Sequence, residues 1–129
     1  MSTPIALTLA PALGYAEGLA AGELRFQYCD GCQSAVFYPR VLCPVCGEPD
    51  LDWRTSVGLG SVYATTVLFT RERAPYNVAL VDLDEGFRMM SRVEGTNPEH
   101  VEIGARVRVA FVTEDNSPLA VFRPQEENR

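Results

Sequence analysis

Lysine is absent from the 129-residue chain, so all eleven basic side chains are arginine. That is a matter of composition and carries no functional reading. Other absences exclude more. No window approaches the about 18 uninterrupted apolar residues that a membrane span requires, so no membrane partner is expected. The start, MSTPIALTLAPALGYAEGLAAG, has no positively charged leading region, is interrupted by Pro4 and Pro11, and contains Glu17. It does not read as a secretory signal. A cytoplasmic chain is the expectation, and there cysteine pairs mean metal more often than disulfide. The formal net charge is −6. Residues 1–52 set Arg25 and Arg40 against Glu17, Glu23, Asp30, Glu48, Asp50 and Asp52, and residues 53–123 set eight arginines against nine acids. Neither stretch offers the basic surface that a phosphate backbone demands, so nucleic acid is not an expected partner. The single histidine, His100, stands among acids, with no serine or cysteine nucleophile to pair with it. Phosphate-cradling glycine loops, a dinucleotide fingerprint and paired-carboxylate spacing are missing too. The chain shows no catalytic apparatus of its own.

What is present begins with a short helical pattern from about Pro11 to Gly22. Leu13, Ala16, Leu19 and Ala20 share one face, and Gly22 is placed to end it. Gly14 and Gly18 weaken this helix in isolation, so it should need a surface to pack on. From Glu23 to about Val57 the chain is turn-rich. Leu24, Phe26 and Tyr28 alternate with Arg25 and Gln27 as a strand leading into Cys29. Ala35–Tyr38 and the Leu51, Trp53, Thr55 set mark two more strands. Too few large apolar residues lie here to hold the piece together alone.

Residues 58–123 read as five strands: Ser61–Thr70, Tyr76–Leu83, Phe87–Val93, Arg106–Val112 and Leu119–Phe122. Asp84-Glu85-Gly86 reads as a solvated hairpin turn, with Gly86 in the left-handed region. Thr96 or Asn97, Pro98, Glu99 and Gly104 mark one short helix between the third and fourth strands. That order belongs to an OB-fold barrel. The expected segments are 1–23, helical; 24–57, a zinc ribbon; and 58–129, an OB fold.

Cys29-Asp-Gly-Cys32 and Cys43-Pro-Val-Cys46-Gly place two C-x-x-C knuckles ten residues apart. Each tight turn delivers two thiolates to one tetrahedral ion, and no cysteine is left over. Two disulfides, a redox C-x-x-C or iron would use the same residues. Two knuckles in a small strand-rich segment without a signal peptide favour one Zn2+ per chain. Four thiolates leave no open position, so the ion is expected to be structural rather than catalytic. In the third segment Arg71, Arg73, Arg88 and Arg92 stand out, because OB barrels present one face and its loops to ligands, although each reads first as an ordinary surface charge.

These residues together resemble a family. The run Gly22-x-Leu24, Cys29-x-x-Cys32, Tyr38-Pro39-Arg40, Cys43-Pro44-x-Cys46 and Gly58-x-Gly60-x-Val62-Tyr63 is similar to the zinc-ribbon/OB-fold acyl-CoA-associated proteins, domain-of-unknown-function family 35. So are Pro75-Tyr76, Ala79-Leu80-Val81-x-Leu83-Asp84-Glu85-Gly86, Ile103-Gly104, Val107-x-Val109-x-Phe111 and Phe122-Arg123-Pro124. The resemblance spans Tyr15 to Pro124. Gln33-Ser34 departs from it where a glycine often follows the first knuckle. It implies a mainly β chain with an N-terminal helix, a rubredoxin-like zinc ribbon and a C-terminal five-stranded OB-fold barrel. It also implies a non-catalytic subunit working beside a thiolase-like enzyme, or a hot-dog-fold hydratase, on acyl-CoA or acyl-carrier substrates. On that reading Arg71, Arg73 and Arg88 would approach CoA phosphates, and Leu13, Tyr15 and Leu19 would face the partner. The competing reading is a stand-alone OB module for a small ligand or nucleic acid.

Overall fold

The computed structural model describes residues 4–49 and 51–125, with side chains from residue 12 onward. The chain divides into two compact units. One is built on Met1–Val57 with Glu85–Phe87, the other on Gly58–Asp84 with Arg88–Arg129.

The first unit opens with helix α1, Pro4–Ala20. It begins seven residues before the start that Pro11 suggests in sequence, and Pro11 falls inside it instead of in its first turn. Its end follows the glycine signal. Gly22 sits at φ +77, the Gly22 N–H donates to the Leu19 carbonyl at 3.1 Å, and the Glu23 N–H donates to the Gly18 carbonyl at 2.7 Å. This pair of bonds satisfies carbonyls that a bare helix end would leave open.

A three-stranded antiparallel sheet follows, in the order β2-β1-β3, with β1 at Arg25–Cys29, β2 at Ser34–Val36 and β3 at Leu51–Thr55. The two helix glycines explain how α1 meets it. A Cβ on Gly14 would lie 2.7 Å from Trp53 Cζ2, and one on Gly18 would lie 2.7 Å from the Arg25 side chain. The residues that cost the helix its intrinsic stability are the ones that let its backbone press on β1 and β3.

The unit's core is small and aromatic. Leu24, Phe26 and Phe87 are buried. Phe87 stacks on Phe26 at 4.7 Å and on Phe37 at 5.0 Å, and Tyr15 meets Phe37 edge-on at 5.4 Å. Burial, with Tyr38 nearby, holds the Tyr15 hydroxyl above its ordinary pKa. The turn read from sequence as solvated does structural work here. Glu85 accepts from Ser56 Oγ at 2.7 Å and from the Val57 N–H at 2.8 Å.

The second unit is a five-stranded antiparallel sheet in the order β6-β5-β4-β7-β8. The strands are β4, Leu59–Leu68; β5, Tyr76–Leu83; β6, Arg88–Ser91; β7, Arg106–Glu114; and β8, Ser117–Pro124. The sheet curls until its two edges meet. Val93 bridges Phe122 in parallel, the Glu94 N–H donates to the Phe122 carbonyl at 2.7 Å, and the Phe122 N–H donates to the Arg92 carbonyl at 2.9 Å. A sheet closed in this way leaves few unpaired edge groups. The interval between β6 and β7 holds one 3-10 turn, Pro98–His100, capped by Asn97, whose side chain accepts from the Glu99 N–H at 2.9 Å.

Gly60 shows why the Gly-x-Gly run is needed. A Cβ there would sit 2.5 Å from the Asp82 carbonyl oxygen of the neighbouring strand. Strand β4 shifts register between Val62 and Ala64, the bulge that lets a long strand bend around a barrel. Val62, Val81, Val107, Val121 and Phe122 fill the interior.

Candidate metal centre

Cys29 ends β1, Cys32 follows it across a tight turn, and Cys43 and Cys46 lie on the loop before β3. All four Sγ atoms lie within 4.8 Å of one another. Cys29 and Cys46 are separated by 3.6 Å, Cys32 and Cys43 by 3.7 Å. Zn–S bonds of about 2.3 Å in a tetrahedron put sulfurs about 3.8 Å apart. The donor set and spacing therefore fit one four-coordinate thiophilic ion. It has no vacant position, so its role is structural.

The backbone prepares the second knuckle. The Cys43 N–H donates to the Glu48 carbonyl, the Gly47 N–H donates to the Cys43 carbonyl at 2.8 Å, and Gly47 takes φ +81. The Cys46 and Val45 N–H groups point at the Cys43 sulfur and help lower its pKa to about 6. At Cys46 the Glu48 N–H favours the thiolate, but desolvation and the Cys29, Cys32 and Cys43 sulfurs outweigh it and push the thiol up to about 12. Four sulfurs this close cannot all ionise unaided. A divalent cation at their centre removes the conflict and deprotonates the set.

At the first knuckle Gln33 adopts φ +57, a left-handed position that glycine fills without steric cost. The Cys32 thiol donates to Ser34 Oγ at 3.3 Å.

Sequence reasoning missed Gln27. The alternation of β1 places it outward, yet it is only 4% exposed. Its amide clamps the loop between the knuckles: Nε2 donates to the Arg40 carbonyl at 2.9 Å, and Oε1 accepts from the Arg40 N–H at 2.7 Å. Gln27→Leu is expected to weaken zinc retention about tenfold in competition against a chelator, as loss of a supporting hydrogen bond commonly does. An unchanged metal affinity would show that the clamp does not position the ligands.

The remaining sequence candidates are scattered. Leu13 is exposed, Leu19 half-buried, and Tyr15 packs on Phe37 within its own unit. Arg71 and Arg73 lie on the exposed β4–β5 loop, with the Arg73 guanidinium 4.2 Å from the centre of the Tyr76 ring. Arg88 is bound to Asp82 through two hydrogen bonds and covers the Tyr63 ring at 3.5 Å. Arg92 bridges Glu94 and Glu114. His100 is exposed. No described helix is long and apolar enough to cross a membrane.

Comparison with known proteins matches the same two parts. The model of the ChsH2 rubredoxin-like zinc ribbon domain covers residues 16–52, and that of the ChsH2 C-terminal OB-fold domain covers residues 53–112. A DUF35 domain-containing scaffold protein of Methanothermobacter thermautotrophicus is 33% identical over 64% of this chain and 67% of its own length. A probable enoyl-CoA hydratase alpha subunit of Thermomonospora curvata is 36% identical over 82% of this chain, which spans only 36% of that subunit. Among solved structures, the Ltp2-ChsH2(DUF35) aldolase superposes with a TM-score of 0.78 at 32% identity, covering 89% of this chain and 94% of the matched one. A DUF35 protein from Sulfolobus solfataricus shares the fold at 15% identity, with a TM-score of 0.69. The chain belongs to the DUF35 family of zinc-ribbon and OB-fold proteins.

Proposed function

We propose that this chain is a non-catalytic accessory subunit of an acyl-CoA enzyme, with a thiolase-like subunit, or else a hot-dog-fold hydratase, as its partner. The observation that carries the reading is the surface beside the metal knuckles. Tyr38, Val41, Leu42 and Val45 crowd one short loop, and Leu42 and Val45 are 52% and 70% exposed. A loop held at both ends by zinc ligands is rigid at little entropic cost, and its apolar side chains would lose their water only against a second protein. Leu13 and Leu19 of α1 would add to that surface. Relatives named as hydratase alpha subunits and an aldolase support the acyl-CoA setting.

In this role the chain's own residues bind and position, with no bond-making step assigned to them. Zinc makes the ribbon rigid, the loop of residues 38–45 docks, and the OB unit offers its exposed β4–β5 loop to the shared substrate. Arg71 and Arg73 are the residues there able to meet CoA phosphates, since a planar guanidinium matches them. Arg88 would first have to leave Asp82.

The test is co-purification of the native partner with tagged wild type and with Leu42→Asp and Val45→Asp. The variants should lose the partner while keeping one zinc per chain. The wild type alone should show no acyl-CoA turnover. Partner retention by both variants would remove this loop from the interface, and full partner activity without the chain would overturn the accessory role.

A further inference from the structure

Among the described residues of this acidic chain, two positive charges are set directly opposite each other across a strand pair. Arg108 on β7 and Arg123 on β8 are direct cross-strand partners. Residues opposed in an antiparallel ladder have Cα atoms about 5 Å apart and side chains on the same face. Like charges so placed repel unless something lies between them. Five other described arginines meet acids: Arg25 with Glu23, Arg54 with Asp30, Arg88 with Asp82, Arg92 with Glu94 and Glu114, and Arg106 with Asp84. Arg40, Arg71 and Arg73 enter no ion pair among the described residues, but they are not cross-strand partners of another arginine. Neither Arg108 nor Arg123 enters any ion pair among the described residues.

The pair also lines a cavity. Gly95, Arg108, Arg123, Pro124 and Gln125 enclose a depression of about 360 Å³. Gly95 shapes it. A Cβ at Gly95 would lie 3.7 Å from Arg123 Cγ, so the arginine stem lies along bare backbone there. Both side chains are exposed at the mouth, where their charged ends are available to solute.

We infer that the Arg108–Arg123 cleft is an anion site that takes a phosphate group, held between two guanidinium forks. A phosphate dianion offsets the cross-strand repulsion, and its oxygens accept in-plane pairs of N–H groups from each side. The Gln125 side chain is the neutral donor at the rim. The site is independent of the exposed β4–β5 loop assigned above to CoA. The same phosphate chemistry could be presented by inorganic pyrophosphate or by the 3′-phosphate of a nucleotide cofactor.

Calorimetric titration of the full-length zinc-loaded chain with inorganic pyrophosphate tests this. Saturable binding is expected, weakened at least tenfold in Arg108→Gln and in Arg123→Gln, and changed less than twofold in the Arg71→Gln/Arg73→Gln double variant. Arg123→Glu separates recognition from folding. It should abolish binding while raising the melting temperature, because it turns the repelling pair into a cross-strand ion pair. Parallel titrations with CoA and dephospho-CoA identify the source. Tighter binding of CoA than of dephospho-CoA that vanishes in Arg108→Gln assigns the 3′-phosphate, and failure of both to displace pyrophosphate assigns the free anion. No saturable pyrophosphate binding by wild type up to about 10 mM, or binding that survives in the Arg108→Gln/Arg123→Gln double variant, overturns the inference.

Discussion

Removing the metal should unfold one unit and leave the other standing. Four thiolates on one zinc contribute on the order of 10 kcal/mol to a small ribbon. A whole ordinary domain is stable by only about 5–15 kcal/mol. The ribbon's buried apolar set beyond the cysteines is little more than Leu24, Phe26, Val36 and Phe87, so nothing comparable replaces the ion. The single tryptophan makes the experiment clean. Trp53 lies in β3 against Gly14, and the second unit contains no tryptophan. Chelation, or Cys43→Ser, is expected to shift Trp53 emission to the red and erase amide protection across residues 25–55. The amides of Val81 and Val121, inside the barrel core, should stay protected. Elemental analysis should give about one zinc per chain, and X-ray absorption a four-sulfur shell. Acid should act in the same direction. Coordinated thiolates carry fewer protons than the free thiols of the unfolded chain, whose ordinary pKa is about 8.5. The stabilisation from ligation is therefore complete above that value and declines as pH falls. Unchanged Trp53 emission after verified zinc loss would show that the metal does not hold the ribbon.

Features with a local cause could be read along the chain. The knuckles, the Gly22 helix end, the Gly86 turn and the Asn97–Pro98 cap each depend on neighbours within a few residues, and all appear at their places. Strand β5 matches its expected bounds, Tyr76–Leu83, because its alternation is unbroken and a turn follows. Features set by pairing across the fold could not be read. Gln27 looks like an outward residue on β1, but the loop folding over it at Arg40 makes it buried. Glu85 looks solvated until Ser56 and Val57 arrive from 28 or more residues away. The opposition of Arg108 and Arg123 exists only in the observed register of β7 with β8, and a slip of one residue would part them. Tyr15 is expected to face a partner, and only the approach of Phe37 across the fold takes it into the unit's own packing.

Asn77 is the most telling of the polar residues hidden in this way, and its replacement should give the largest loss of any single polar side chain in the barrel. It is 2% exposed on β5. Its Nδ2 donates to Thr65 Oγ1 at 2.5 Å and to the Thr66 carbonyl at 3.3 Å, and its Oδ1 accepts from the Val93 N–H at 3.0 Å. Val93 is also the residue that bridges Phe122 where the sheet closes, so one amide ties β4, β5 and the closing segment together. Asn77→Leu keeps the branched shape but leaves the Val93 N–H buried without a partner, a loss of about 2–3 kcal/mol. Amide exchange at Val81 and Val121 should then speed up by about 30- to 150-fold, since 1.4 kcal/mol is about a factor of ten. Asn77→Asp adds a sign test. A carboxyl enclosed here is desolvated and faces the Thr66 carbonyl, so its folded pKa must rise above the ordinary carboxylate value. The folded state then binds more protons than the unfolded one, and stability must fall as pH climbs through that range. The aspartate variant should therefore be more stable near pH 4 than near pH 8, once zinc release is followed separately through Trp53. Wild-type exchange rates in Asn77→Leu, or an aspartate variant whose barrel is most stable in alkali, would show that the barrel closes without this amide.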